Sequence, residues 1–222
     1  MSLDQSTLSA LVAVAIFLVV GFPVHEYAHA LAAWRLGDGT AKLYGRLTLN
    51  PLVHLDPLGS GVLVVSALVG GFFIGWAKPT PVNPSMLRGG HRGEAIVAAA
   101  GPLSNLALAV LAAILVRLLV ALQPAPSAVL DFAGLVIVWF LVINISLFIF
   151  NLLPIPPLDG SKVLFAFLPP RTVWQVRPFL ERWGLVILLA AMFLPLPPSG
   201  QSIGQQVLGP LFRGIFRLLV GG

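Results

Sequence analysis

His25-Glu26-Tyr27-Ala28-His29 lies inside an apolar run: from Leu8 to Gly21 the sole polar side chain is Ser9, and Ala30 to Trp34 carry the run onward. On a helix, positions four apart share a face, so His25 and His29 can grip one metal ion. Glu26, three before His29, can reach a water held by that ion. Zinc brings such a water towards a neutral pKa, and a neighbouring carboxylate can take its proton as the water attacks a carbonyl. A bare H-E-x-x-H also occurs by chance. The setting weighs against chance, because ionisable side chains are costly inside a membrane helix and by default mark function there. Arg35, the first basic residue after the motif, stands six residues beyond His29. That is about 9 Å of helix rise, so the site is expected to be buried but near one membrane face.

The composition agrees with a membrane setting. A chain of 222 residues with 58% hydrophobic and 9% charged side chains and a mean hydropathy of +0.96 has too little polar surface for a soluble domain. It predicts an all-α polytopic membrane protein, a helix bundle with the lipid bilayer as its surroundings. No cysteine is present, so disulfides and thiolate metal sites are excluded, and a zinc ion, one per chain, must be held by nitrogen and oxygen. The net charge of +5 invites a nucleic-acid reading, but the thirteen Lys and Arg are scattered singly between apolar runs. They read as topology signals at a membrane surface, and no nucleic-acid partner is expected. Met1 to Ser6 carries Asp4 and no basic residue, which argues against a cleaved signal peptide.

Taken in order, the first helix runs from about Leu8 to Leu36, with Pro23 either kinking it or opening a fresh helical segment. Gly37-Asp38-Gly39 stops it. Ala41 to Leu49 loosely alternates polar and apolar residues and predicts a short β-strand segment, whose edge could take an unfolded substrate. Leu58 to Trp76 is apolar and long enough to cross, yet four glycines and two serines fall between Leu58 and Gly71. Basic residues flank it on both sides: Arg35, Lys42 and Arg46 before, Lys78, Arg88 and Arg92 after. A re-entrant or interfacial element is therefore favoured over a full span. Ala77 to Asn83, rich in proline, reads as a loop.

Glu94 to Leu122 predicts a spanning helix, opened by small residues from Ala98 to Asn105 that permit close helix packing in lipid. Gln123 to Ser127 reads as a turn. Phe132 to Leu158 is uncharged, with Asn144 and Asn151 seven apart on one helical face, until Pro154-Ile155-Pro156-Pro157-Leu158-Asp159-Gly160 breaks the run. Lys162, Arg171, Arg177 and Arg182 then mark a basic, cytoplasmic stretch. Gly184 to Pro195 is an apolar helix short for a span, and Val207 to Val220 either returns through the membrane or lies in its interface. Neither a repeat nor a loop long enough for a second domain is present. Residues 1–222 are thus expected to form one membrane domain, with a core at about 8–170 and C-terminal helices at about 183–220.

A catalytic zinc takes three protein ligands plus water, so a third ligand is needed. The candidates are His54, His91, Asp4, Asp38, Asp56, Glu94, Asp131, Asp159 and Glu181. Most lie near loops or helix ends with basic neighbours and read as solvated charges. Asp159 differs, because it ends a long uncharged run on a proline-broken segment. His54 and Asp56 are the alternative pair, in a loop that could fold over the site.

Three separated elements, His25-Glu-Tyr-Ala-His29, Gly101-Pro102 and Asn151-Leu-Leu-Pro-Ile-Pro-Pro-Leu-Asp159-Gly160, resemble the site-2 protease family of intramembrane zinc metalloproteases in its compact bacterial form. By that resemblance His25, His29 and Asp159 bind zinc, Glu26 is the catalytic base, and Asn151 helps bind the substrate backbone or the oxyanion. Asn144 and Asn105 could share that last role, with interhelical hydrogen bonding an equal alternative. The resemblance also implies a transmembrane protein substrate and a multi-pass location in a bacterial cytoplasmic membrane. It turns the catalytic face towards the cytoplasm, which agrees with the basic-loop count if 58–76 does not cross. The PDZ insertion and CBS region of better-studied members are not expected. Two other classes compete. A metal or proton transporter would line its path with His25, His29 and Asp159 and tolerate Gln at position 26; an inactive relative would bind membrane peptides without cutting them.

Overall fold

A computed structural model of the chain describes residues 4–69, 75–122, 125, 127–197 and 200–221. Its first span is one continuous helix in three parts: α1 (Gln5–Ile16), a π turn (Phe17–Gly21) and α2 (Phe22–Arg35). Asp4 caps it by accepting the Thr7 N–H at 2.7 Å. In the π turn the Phe22 N–H donates to Phe17 O, five residues back. The wide turn ends next to Pro23, which has no N–H of its own to give. The choice between a kink and a restart is thus resolved as one widened turn just before His25.

Together with α6 (His91–Leu122) and α7 (Ala128–Asn151), this first helix makes three that are long and apolar enough to cross a membrane among the described residues. Their 31, 32 and 24 residues reach about 46, 48 and 36 Å, against a hydrocarbon core of roughly 30 Å. The turn expected over Gln123 to Ser127 lies largely outside the described residues. Two apolar clusters hold the bundle. Ala13, Val14 and Phe17 pack with Val136, Ile143 and Leu147 of α7, and Ala109, Ala112 and Ala113 of α6 pack with Leu141, Ile145 and Ile149 of α7. Val19, Leu111, Leu118 and Val120 point outwards and are exposed, as a lipid-facing surface requires.

Within 58–76 the description covers α5 (Pro57–Val69), 13 residues or about 20 Å, together with Gly75 and Trp76; residues 70–74 lie outside it. Leu55 and Ala77 form an antiparallel bridge, and the Lys78 N–H donates to His54 O at 2.7 Å. The two ends of the segment therefore lie side by side, the placement that a re-entrant element requires. Leu63 anchors it in the first cluster.

The strand expected over Ala41 to Leu49 is not formed; α3 (Thr40–Leu43) is a helical turn instead. The Asp38 carboxylate accepts the Thr40 N–H at 2.9 Å and starts the turn. Gly45, at φ 68°, ends it: its own N–H bonds to Lys42 O while the Arg46 N–H bonds to Ala41 O. These local bonds satisfy backbone groups that a lone strand would leave open. The alternation of side chains had no partner strand to act on.

Beyond α4 (Pro51–His54) and the spans come α8 (Asp159–Phe167), α9 (Pro170–Phe193), a two-residue strand pair of β1 (Pro195–Leu196) and β2 (Gln201–Ser202), and α10 (Ile203–Val220). Of the basic stretch, Lys162 lies in α8, while Arg171, Arg177 and Arg182 share α9 with the apolar segment that begins at Gly184. α10 opens on a capping box between Ser202 and Gln205. Its Leu208, Phe212, Ile215, Phe216 and Leu219 pack on α6 and α7, and Arg117 donates to Leu218 O near its far end at 3.1 Å.

Candidate metal centre

Three elements meet at the N-terminal half of α6. α2 brings His25, Glu26 and His29, the break after α7 delivers Asp159 as the first residue of α8, and all four are no more than 9% exposed. The Nε2 atoms of His25 and His29 stand 3.1 Å apart, and Asp159 Oδ2 lies 3.5 Å from the first and 3.2 Å from the second. Ligands about 2.0–2.1 Å from a tetrahedral zinc are separated by about 3.3 Å, so this triangle of two nitrogens and one oxygen fits the ion. Among the described residues it is the one group of three or more such side chains close enough to hold a metal. Asp159 Oδ1 faces outwards, 3.7 Å from Lys162 Nζ.

The orientation of both imidazoles is dictated by backbone carbonyls. His29 Nδ1 lies 2.7 Å from Val97 O, which can only accept, so that nitrogen carries the proton and Nε2 keeps its lone pair for the centre. For His25 the logic passes through two amides. Phe140 O accepts from Asn144 Nδ2 at 2.9 Å, which leaves Asn144 Oδ1 to accept from Asn105 Nδ2 at 3.0 Å. Asn105 Oδ1 must then accept from His25 Nδ1, at 2.6 Å, and Nε2 is again the bare nitrogen. Such outer partners fix tautomer and ring angle in metal sites and commonly matter 10- to 100-fold for affinity. Asn105 and Asn144, both fully buried, thus bond to each other across α6 and α7, and Asn105 also holds His25.

Gly101 makes the convergence possible. A Cβ there would stand 2.2 Å from His29 Nε2 and 2.7 Å from His25 Cε1, and neither pinned ring can retreat. Glu26 sits beside the triangle, its Oε2 accepting the Thr80 N–H at 2.8 Å and its backbone oxygen accepting the Thr80 hydroxyl at 3.1 Å. Asn151 closes α7, half-buried, with Nδ2 on Leu147 O at 3.1 Å.

The alternative ligands lie elsewhere. His54 is buried with Nε2 on Thr48 O at 2.8 Å, and Asp56 caps α5 by accepting the Gly59 N–H at 2.8 Å. Neither joins the triangle. Asp38, read as a solvated charge, is fully buried and takes the N–H groups of Thr40 and Asn83 at 2.9 and 2.7 Å. Burial pushes its carboxyl up, but the hydrogen bonds from Thr40 and Asn83 outweigh this and hold it below its ordinary value.

Comparison with known proteins bears on this geometry. Residues 120–194 match the family model of Peptidase family M50. The chain is 39% identical over 202 residues to the Bacillus subtilis (strain 168) protein named "Putative zinc metalloprotease YwhC", covering 89% of this chain and 84% of that one. The chain belongs to peptidase family M50. This M50 peptidase is also 36% identical over 178 residues to "Putative zinc metalloprotease Rip2" of Mycolicibacterium smegmatis, covering 78% of the chain and 63% of the relative's length. The Rip2 of Mycobacterium tuberculosis (strain H37Rv) is 34% identical, with 80% and 65% covered. No solved structure matches. The donor set of the M50 peptidase suits the zinc that its relatives' names carry.

Proposed function

We propose that this M50 peptidase is a zinc metalloendopeptidase that hydrolyses peptide bonds in or next to the membrane-spanning segments of protein substrates. His25, His29 and Asp159 hold the zinc and Glu26 acts as general base. The observation that carries the reading is the buried triangle of donor atoms 3.1–3.5 Å apart beside a carboxylate, at the end of the first span. When bound, zinc supplies a Lewis acid that acidifies water and polarises a carbonyl. Glu26 takes the proton and returns it to the leaving amine. A helical substrate hides its carbonyls in its own hydrogen bonds, so the target must be locally unwound, and Asn151 at the end of α7 holds the unwound backbone. The chain acts as one peptidase domain with its core at about 8–170, in a bacterial cytoplasmic membrane. Arg35, Lys42, Arg46, Lys78, Arg88 and Arg92 turn the catalytic end to the cytoplasm.

The test is zinc content together with cleavage of a labelled transmembrane peptide in detergent. Glu26→Gln keeps its zinc and stops cutting, whereas Asp159→Ala loses the metal. Undiminished cleavage by Glu26→Gln overturns the role of Glu26, and undiminished zinc in Asp159→Ala overturns the ligand set.

A further inference from the structure

Ala77 to Asn83 passes over α2 as an extended strap. It is tied at three points: the Lys78 N–H to His54 O at 2.7 Å, the Thr80 N–H to Glu26 Oε2 at 2.8 Å, and the Asn83 N–H to Asp38 Oδ2 at 2.7 Å. Prolines at 79, 81 and 84 bias the residues before them, Lys78, Thr80 and Asn83, to extended backbone. The strap is therefore stiffened by its own sequence, before any tertiary contact is made.

In an extended chain alternate residues turn their N–H groups to the same side. Lys78 and Thr80 face His54 and Glu26; the opposite edge belongs to Pro79 and Pro81, which have no N–H to donate. At 79 and 81 that edge has carbonyls that accept but no N–H to donate to an incoming peptide. The side facing α2 carries the strap's donor at Thr80. This is one donor between two residues that have none, aimed at one carboxylate oxygen of the proposed base.

We infer that Thr80 is a positioning residue for Glu26: its backbone N–H, delivered by the proline-stiffened strap, holds Oε2 and leaves Oε1 as the oxygen that accepts the proton. The inference rests on the proposed role of Glu26 as base. A glutamate has three rotatable bonds, and without a fixed donor its carboxylate spreads over several rotamers, few of which meet the attacking water. A hydrogen bond from N–H to a carboxylate is charge-assisted and strong enough to select one of them. The Thr80 hydroxyl, bonded to the backbone oxygen of Glu26 at 3.1 Å, adds registration without touching the carboxylate.

The experiment uses the full chain in detergent with zinc content, kcat and KM read on a labelled transmembrane peptide. Thr80→Val keeps the N–H and loses only the hydroxyl bond, so its kcat falls by less than that of a variant without the N–H. Thr80→Pro removes it and lowers kcat about 10- to 100-fold, with KM and zinc content unchanged. Because a third consecutive proline can disturb the strap itself, an amide-to-ester replacement at residue 80 is the second variant and gives the same loss. A readout that needs no turnover is the Thr80 amide proton resonance in the ¹⁵N-threonine protein, which moves upfield in Glu26→Gln. A raised KM with unchanged kcat, a gain in activity, or an ester variant as fast as the natural chain overturns the inference. If Glu26→Gln itself cuts normally, it is the base assignment that falls.

Discussion

The two halves of α6 are both rich in small residues, and they use that smallness differently. In the first half, Gly101 clears space for two imidazoles while Val97 and Asn105 bond to them. In the second, Ala109, Ala112 and Ala113 let α6 close on Leu141, Ile145 and Ile149 of α7 and on the apolar face of α10. Distances in the first half are set by hydrogen bonds and by the spacing that a metal demands, where a few tenths of an ångström matter. Distances in the second are set by van der Waals packing, where an added or lost methyl is felt as a modest change in stability. One helix thus carries a region intolerant of displacement and a region intolerant only of voids.

The largest expected effect separates the halves outright. Gly101→Ala should drop zinc content to background and abolish cleavage, since its Cβ falls 2.2 Å from His29 Nε2. Ala109→Gly, eight residues on, should keep its zinc and lose about 1 kcal/mol of stability. If Gly101→Ala binds zinc normally, the imidazoles are freer than their hydrogen bonds imply and the contrast fails.

Next in size is a pair on α7. Ile145→Ala, in the apolar cluster, should cost about 2–5 kcal/mol in denaturation while leaving zinc affinity alone. Its neighbour Asn144 belongs to the relay, so Asn144→Ala should weaken zinc binding, and Asn105→Ala should weaken it more, by about 10- to 100-fold in competition with a chelator. Equal zinc affinities for all three variants would sink the relay.

A smaller effect probes the seam between α2 and the strap. Asp38→Asn replaces an acceptor by a donor facing the Asn83 N–H and should cost about 1–3 kcal/mol at neutral pH. The Asp38 carboxyl is held below its ordinary value, so its contribution is fully present above the unfolded pKa of about 4 and is lost as pH falls through the lower folded value. The stability gap between the natural chain and Asp38→Asn should therefore shrink below about pH 4, and a gap that widens there contradicts the assignment. Smallest of all, Arg117→Ala should loosen the end of α10 by about 1 kcal/mol or less, read by amide exchange near Leu218, with no change in zinc.

Much of this was legible along the chain because helical periodicity is a local property. His25, Glu26 and His29 share a helix, so their geometry follows from spacing, and the apolar runs that carry them could be counted directly. Asp159 stood out as the acid that ended an uncharged run. Basic residues on both flanks of 58–76 predicted that its two ends share one side, and the bridge between Leu55 and Ala77 brings those ends together. The strand over Ala41 to Leu49 was misread, because alternation without a partner strand cannot outweigh the capping bonds of Asp38 and the turn at Gly45.

By itself, then, the sequence determined the membrane class, the motif helix and the candidate donors, all of them set by composition or by contacts within a few residues. Only the tertiary structure decided what those donors meet. Asn105 is 80 residues from His25, and Thr80 is 54 from Glu26. Two asparagines in apolar helices announce that each needs a partner, and three closely spaced prolines announce a stiff strap. Neither says which atom lies across the gap, because a hydrogen bond is specific at 3 Å and its energy depends on helix packing rather than on the residues beside it in the chain.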